Sequence, residues 1–147
     1  MKRIVRSALV GYSAQQMYAL VENIEAYAEF LPWCRESKVL ERAEARTLAT
    51  LAVGLKGVRQ SFTTENINHP PHAIEMRLIE GPFKAFHAAW RFQALGEQAA
   101  KIEFALGYEF SAGVLGKVLA PLFDHIANTM VEAFIRRAAS VYGPSAH

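Results

Sequence analysis

Residues 30–39 of the chain read Phe-Leu-Pro-Trp-Cys-Arg-Glu-Ser-Lys-Val. Pro32 cannot continue a helix, and its ring pushes the preceding residue, Leu31, out of the helical region. The stretch therefore predicts the end of a short helix and, after it, a strand over residues 36–41. Large apolar side chains gather at this bend, and connections carry function more often than core segments do. We predict that the mouth of an apolar pocket is formed by Phe30, Leu31, Pro32 and Trp33.

Composition is that of one folded domain, which we expect to span residues 1–147. The chain has 147 residues, of which 52% are hydrophobic and 20% charged, and this balance is typical of a globular protein. No apolar run reaches the ~20 residues of a membrane span. The basic start, residues 1–6, is followed by Ser7 and Gly11 rather than by an unbroken apolar region, so it does not resemble a secretory signal. We expect a cytoplasmic protein.

The net charge of +2 and the sequence pI near 8.8 are mildly basic. This net charge is well below that of a domain dedicated to binding nucleic acid, so no DNA partner is expected. It is compatible with a contact to the ribosome or to anionic lipid without arguing for either.

Cys34 is the only cysteine, so neither an internal disulfide nor a thiolate cluster is expected. A nucleophilic Cys34 would need a nearby base and a lowered pKa; a small buried apolar side chain is the simpler interpretation.

Hydrophobic spacing predicts a strand, two short helices, six strands and a long helix. Ser13 and Gln16 have the spacing of a capping box that begins the first helix. The predicted helices cover residues 14–24 and 26–31. The predicted strands cover residues 2–10, 36–41, 47–55, 58–67 and 73–79, a segment around 86–92, and residues 101–110. Short turns between them predict antiparallel pairing.

Over residues 114–142 the apolar residues recur at the spacing of a helix, which predicts a long helix there. Pro121 removes a backbone donor, so we predict a kink or a restart of the helix there. The apolar stripe of this helix consists of Leu115, Val118, Leu119, Leu122, Ile126, Met130, Phe134, Ala138 and Val141. Beyond Pro121 the helix would be ~30 Å long, enough to cross the whole sheet.

This element order predicts an α+β fold in which a curved seven-stranded antiparallel sheet wraps around the C-terminal helix. Twisted sheets of this size curl, and one helix about 10 Å across does not fill the concave side. The remaining space is closed by side chains or by an apolar ligand. The predicted wall comprises Phe62, Phe86, Trp90, Tyr108, Phe110, Leu119, Phe123, Ile126 and Met130. Each of them also fits plain core packing. Tyr108 is the predicted polar contact for a ligand carbonyl, because a buried hydroxyl needs a partner.

Catalytic and metal-binding residues are not predicted. Asp124 and His125 are neighbours on a helix and so point in different directions, and we expect both at the surface or at the rim of the pocket. The His69 and His72 pair is a weak metal signal with no further ligand to complete a site.

Several motifs, in order and spacing, carry a family resemblance. They are the opening Ser7–Tyr18 and the Tyr27-x-x-Phe30-Leu31-Pro32-Trp33-Cys34 stretch, then Gly81-Pro82-Phe83-Lys84 with Trp90-x-Phe92, the strand 103–110, Met130-Val131-x-Ala133-Phe134 and Val141-Tyr142-Gly143. Over residues 2–143 the chain resembles the coenzyme Q-binding and RatA toxin family, which belongs to the START-like, polyketide cyclase-related superfamily. The resemblance implies a helix-grip (START/Bet v1-like) fold. One departure is residues 85–89, which are smaller and less polar than the family pattern, so the width of the pocket or its choice of ligand is open.

The resemblance implies two functions. One is a non-enzymatic carrier of ubiquinone or a related prenyl lipid that supports respiration, and this is our first expectation, with no required cofactor. The other is a RatA-type toxin that binds the large ribosomal subunit and blocks subunit association. A polyketide cyclase or aromatase ranks last, since the inward positions offer almost no acid–base groups. The expected partners are therefore an apolar small molecule and, as alternatives, the large ribosomal subunit and a peripheral membrane contact.

Overall fold

The computed structural model describes residues 1–145. The predicted domain of residues 1–147 includes residues 146 and 147, which lie outside the described residues. The helices are α1 (Ala14–Glu22), α2 (Tyr27–Phe30) and α3 (Gly113–Tyr142), with a short 3₁₀ turn over Ile24–Ala26. The strands are β1 (Lys2–Val10), β2 (Cys34–Ala43), β3 (Arg46–Leu55), β4 (Val58–His69), β5 (Ala73–Glu80), β6 (Phe83–Gly96) and β7 (Ala99–Phe110).

The seven strands form one antiparallel sheet in the order β1-β7-β6-β5-β4-β3-β2. β1 pairs with the last strand, so α1 and α2 connect the two edge strands, β1 and β2. Helix α3 follows β7 and packs against the sheet and α1. The predicted α+β helix-grip fold is confirmed.

Local signals explain where the elements begin and end. The capping box at α1 is present: the Gln16 amide N–H donates to Ser13 Oγ (3.0 Å), and the Ser13 N–H donates to Gln16 Oε1 (2.9 Å). Helix α2 ends at Phe30, and Leu31 is extended (φ −93°, ψ 110°), as its position before proline requires. The turn between β3 and β4 has positive φ at Lys56 and Gly57, the geometry that right-twisted hairpins favour.

Of the expectations about α3, the restart at Pro121 and part of the apolar stripe are wrong, and the kink at Pro121 stays a prediction. The helix does not restart at Pro121 but runs unbroken for 30 residues. Pro121 is exposed, so the carbonyl that loses its donor lies where water can reach it. Val118 and Val141 are 52% and 50% exposed rather than part of the buried stripe, because they lie outside the span Leu119–Ala138 that holds every buried residue of α3.

Helix α3 is long and apolar enough to cross a membrane by length and composition, with a mean hydropathy of 1.2 in its most apolar window. Half of that window is buried inside the protein. The sheet covers its apolar face, as for the core helix of a folded domain.

Candidate functional site

The inner face of the sheet and α3 enclose a cavity of about 60 Å³. Alternate residues of each strand point to the same face, which brings Phe86, Ala88 and Trp90 of β6 to the wall. The i, i+3, i+7 positions Phe123, Ile126 and Met130 supply the helical side. The full lining is Ile24, Tyr27, Trp33, Ala49, Leu51, Val53, Phe62, Thr64, Asn66, Met76, Phe86, Ala88, Trp90, Phe104, Leu106, Phe123, Ile126 and Met130.

Seven of the thirteen residues predicted for the pocket lie on this wall, and six do not. The seven are Trp33, Phe62, Phe86, Trp90, Phe123, Ile126 and Met130. The six that lie elsewhere are Phe30, Leu31, Pro32, Tyr108, Phe110 and Leu119. That any of them contacts a ligand stays a prediction.

The bend at residues 30–33 does not form a mouth as a unit. Pro32 is exposed and Leu31 is buried away from the cavity. Phe30 packs edge-on against Phe134 (ring centroids 5.2 Å apart), and the Arg137 guanidinium lies 4.8 Å above its ring. This bend therefore fixes α2 to α3 through aromatic and cation–π contacts, and only Trp33 reaches the cavity.

Six aromatic rings fill one end of the space between the sheet and α3. We name this the aromatic cluster, and it consists of Phe62, Phe83, Phe86, Tyr108, Phe110 and Phe123. Phe83 is its centre, with ring centroids 5.1 Å from Phe86, from Phe110 and from Phe123. Tyr108 and Phe110 point to the inner side of the sheet, as predicted. They pack against other rings of this cluster and do not line the cavity.

The Tyr108 hydroxyl already has a partner within the protein. It donates to Asp124 Oδ1 at 2.8 Å, and Lys2 Nζ lies 3.3 Å from the other carboxylate oxygen. Burial, and then the Asp124 carboxylate, raise the pKa of Tyr108, so the phenol stays protonated at neutral pH. Asp124 is half-buried and His125 is exposed, in agreement with the surface or rim position expected for them.

Polar groups on the cavity wall are few and specific. Trp33 is 1% exposed, and its indole Nε1 is buried with no hydrogen-bond partner among the described residues. Thr64 and Asn66, on the inner face of β4, are buried too, and Thr64 Oγ1 donates to Asn66 Oδ1 at 2.9 Å. Thr64 and Asn66 are not among the residues predicted for the pocket, although they alternate with Phe62 and so share its face. An apolar wall suits an apolar molecule, and the indole N–H of Trp33, a residue of this wall, has no acceptor among the described residues.

Acid–base chemistry has little support in this cavity. No Asp, Glu, His, Lys or Arg is on its wall within residues 1–145. Burial raises the pKa of the Cys34 thiol to about 11, and its Sγ donates to the Glu36 carbonyl at 3.6 Å. Such a thiol is neutral at pH 7 and a poor nucleophile. Over the same residues, no group of three or more His, Cys, Asp or Glu side chains is placed to hold a metal ion.

Comparison with known proteins agrees with this geometry. The sequence profile of a family described as polyketide cyclase / dehydrase and lipid transport matches residues 10–135. The chain belongs to this family. It is 45% identical over 140 residues to the "Ribosome association toxin RatA" of Pseudomonas aeruginosa. The matched region covers 95% of this chain and 97% of that protein. The resemblance to the coenzyme Q-binding and RatA family is thereby confirmed.

More distant relatives carry other names. The "Coenzyme Q-binding protein COQ10 homolog B, mitochondrial" of Xenopus laevis is 30% identical over 141 residues, covering 93% of this chain and 58% of that protein. The crystal structure of the Zhui aromatase/cyclase from Streptomyces sp. R1128 superposes with a TM-score of 0.82 over 93% of both chains, at 16% identity. At that identity the likeness shows the shared fold alone.

Proposed function

We propose that this protein binds the large ribosomal subunit and prevents it from joining the small subunit, thereby inhibiting translation. The observation that carries the proposal is the match at 45% identity along 95% of the chain to a protein named for ribosome association. The match spans both proteins almost end to end, with 95% of this chain and 97% of that protein covered. A ribosomal partner implies a cytoplasmic location.

The size of the cavity also favours a function on the surface. An engineered apolar cavity of about 150 Å³ binds benzene, whereas this one measures about 60 Å³. A quinone ring with even a short isoprenoid tail is larger than benzene. In the described conformation the interior is therefore filled mainly by the protein's own side chains.

Sucrose-gradient sedimentation tests the proposal. Purified protein is added to separated large and small ribosomal subunits, and Mg²⁺ is then raised to drive their association. We expect the protein in the large-subunit fractions and a dose-dependent loss of the associated particle. The small subunit alone is the control and should not carry the protein. An unchanged yield of associated particles at saturating protein, with no co-sedimentation even at low salt, would overturn the proposal.

A second candidate function is that of a carrier for ubiquinone or another apolar isoprenoid. The observation that favours it is the buried Trp33 Nε1 without an acceptor, because an unsatisfied buried donor costs about 1–3 kcal/mol that a ligand carbonyl would recover. The cavity must then widen on binding. Both tryptophans, Trp33 and Trp90, line it, so their fluorescence reports occupancy.

This carrier proposal is tested by organic extraction with mass spectrometry and by titration with a short-tailed quinone. We expect a co-purifying isoprenoid and quenching of tryptophan fluorescence that saturates with quinone. The variant Trp33→Phe should bind more weakly, since it lacks the donor but keeps most of the apolar surface. Protein free of lipid that shows no saturable quenching would exclude the carrier function.

A further inference from the structure

The outer face of the sheet, which points away from α3, carries a group of basic side chains on strands β1, β7, β6 and β5. The strand register places Arg3, Gly107, His87 and Arg77 in one row across these four strands. At ~4.8 Å per strand this row is ~14 Å long. Arg91 lies four residues further along β6 on the same face.

Lys101 of β7 extends the group, since its register partners are Leu9 and Gln93. It lies ~20 Å from the row of Arg3, given ~3.4 Å per residue along a strand. We name Arg3, Arg77, Arg91 and Lys101 the basic outer patch. Among the described residues, none of the four has a carboxylate oxygen within 4.0 Å. Three acids share this half of the face: Glu103 opposite Arg91, Glu75 opposite Ala89, and Glu109, which lies 3.4 Å from Lys84. At the border with the other half, Glu65 of β4 lies opposite Arg77.

The other half of the same face is neutralised. On β3, Arg46 pairs with Glu65 and with Glu41 (3.2 Å). On β4, Arg59 lies 4.0 Å from Glu36. The excess of positive charge is therefore confined to the β1-β7-β6-β5 half, and the modest net charge of +2 conceals a local concentration.

The floor between these cations is made of small residues. Ala105, Ala89 and Gly107 occupy the centre of the face. They leave a recess of about 240 Å³ beside Arg3 and His87. A second recess, of about 400 Å³, lies beside Arg91 and Lys101. Over this low centre an anionic backbone can approach the sheet closely, while Val5 and Leu9 stand at its edge on β1.

We infer that the basic outer patch is the surface that contacts the phosphate backbone of ribosomal RNA. This inference rests on the proposed function and specifies where on the protein the ribosome binds. Unpaired guanidinium and ammonium groups around a shallow, rigid floor match phosphates in charge and in geometry. Such contacts release counterions and are strongly salt-dependent. The exposed large apolar side chains of this face include Val5 and Leu9, which lie on the edge strand β1 rather than among the cations of β7, β6 and β5. Folded RNA therefore suits the face better than a membrane, which needs apolar side chains that insert together.

The test compares two charge-reversal variants that alter net charge equally. Arg3→Glu/Lys101→Glu changes two patch residues that have no acidic register partner. Lys38→Glu/Lys117→Glu changes two exposed lysines on β2 and α3 that lie outside the patch. Each substitution changes the charge by −2, so both variants move from +2 to −2. A further variant, Arg77→Gln/Arg91→Gln, removes the positive charge of the other two patch residues without reversing it. Thermal unfolding confirms that each variant is folded.

Affinity for the large subunit is measured by co-sedimentation over a series of KCl concentrations. We expect Arg3→Glu/Lys101→Glu to bind at least tenfold more weakly, with a slope of log K against log[salt] reduced by about two. The control variant should bind within about twofold of the unaltered protein. Equal weakening of both charge-reversal variants, or of neither, overturns the inference while the proposed function stands.

Two further outcomes separate the remaining possibilities. If the unaltered protein does not bind the large subunit, the proposed function falls and the inference with it. Vesicles of phosphatidylglycerol and phosphatidylcholine provide the membrane comparison. Loss of vesicle binding in Arg3→Glu/Lys101→Glu, with binding to the large subunit unaffected, would show that the patch contacts lipid and would overturn the inference.

Discussion

The two faces of the sheet are built on opposite principles. The inner face carries large aromatic side chains, such as Phe83 and Trp90, that leave only about 60 Å³ unfilled. The outer face carries alanine and glycine at the centre of β6 and β7, with unpaired cations around them. The inner face is therefore specialised for packing against α3, and the outer face is accessible to a large anionic partner. Mutations can therefore change the side-chain volume of the inner face without altering the charge of the outer face, and the reverse.

The largest effect is expected from truncation of a side chain of α3 that packs against the inner face. Phe134 is fully buried and packs against Trp90 (ring centroids 5.2 Å apart) and Phe30. Phe134→Ala should lower the free energy of unfolding by about 3–5 kcal/mol, because it removes buried apolar area and leaves a void. Val5→Ala on the outer face should cost less than about 0.5 kcal/mol. Urea unfolding measures both values, and similar losses would contradict the division between the faces.

A smaller effect is expected where the hydrogen bond between Tyr108 and Asp124 is removed. Tyr108→Phe keeps the ring in the aromatic cluster but deletes the donor to Asp124 Oδ1. We expect a loss of about 1–2 kcal/mol in the free energy of unfolding. Tyr142→Phe, which removes an exposed hydroxyl bond to the Gln16 carbonyl, is the matched control and should cost less. Equal losses would mean that burial of the Tyr108 bond adds nothing.

The cavity should distinguish two otherwise similar alanines. Ala88 lines it, whereas Ala100 on β7 is fully buried away from it. Ala88→Val adds two methyl groups next to free volume and should change the free energy of unfolding by less than about 1 kcal/mol, while Ala100→Val should cost about 1–3 kcal/mol by overpacking. Chemical denaturation compares them. A larger cost for Ala88→Val would show that the cavity volume is not usable.

Alkaline pH should weaken the inner face. Burial raises the pKa of Cys34 to about 11 from an ordinary value near 9, and burial also raises the pKa of Tyr27 and Tyr108. The unfolded chain then loses these protons first, so stability is intact below pH 9 and falls as pH rises towards 11. Urea midpoints at pH 8 and pH 10.5 test the fall, which should be smaller in Cys34→Ala. A midpoint that rises with pH would contradict it.

The sequence predicts the fold well because its signals are local. Alternation along β6 and β7, the capping box at Ser13 and the stop at Pro32 each depend on neighbouring residues. Position within the interior is harder to predict, since periodicity tells which face Tyr108 and Phe110 occupy but not how far along α3 they lie. Their neighbours in the aromatic cluster come from three other elements: Phe83 and Phe86 from the adjacent strand β6, Phe62 from β4 and Phe123 from α3.

The basic outer patch cannot be predicted from the sequence for a related reason. Arg3 and Lys101 lie 98 positions apart along the chain, and only the pairing of β1 with β7 brings their strands together. Whether a cation has a carboxylate partner depends on side-chain geometry, as the difference between Arg91 and Arg46 shows. Scattered charges in a sequence can therefore form a concentrated surface in the fold.

Light scattering during association of the large and small ribosomal subunits can decide which face of the sheet inhibits, with Ala88→Val and Arg3→Glu/Lys101→Glu compared with the unaltered protein. We expect the cavity-filled variant to block association as well as the unaltered protein does, and the outer-face variant to fail to block it. Inhibition that is lost on filling the cavity and kept on reversing the outer charges would show that the inner face, not the outer face, carries the function.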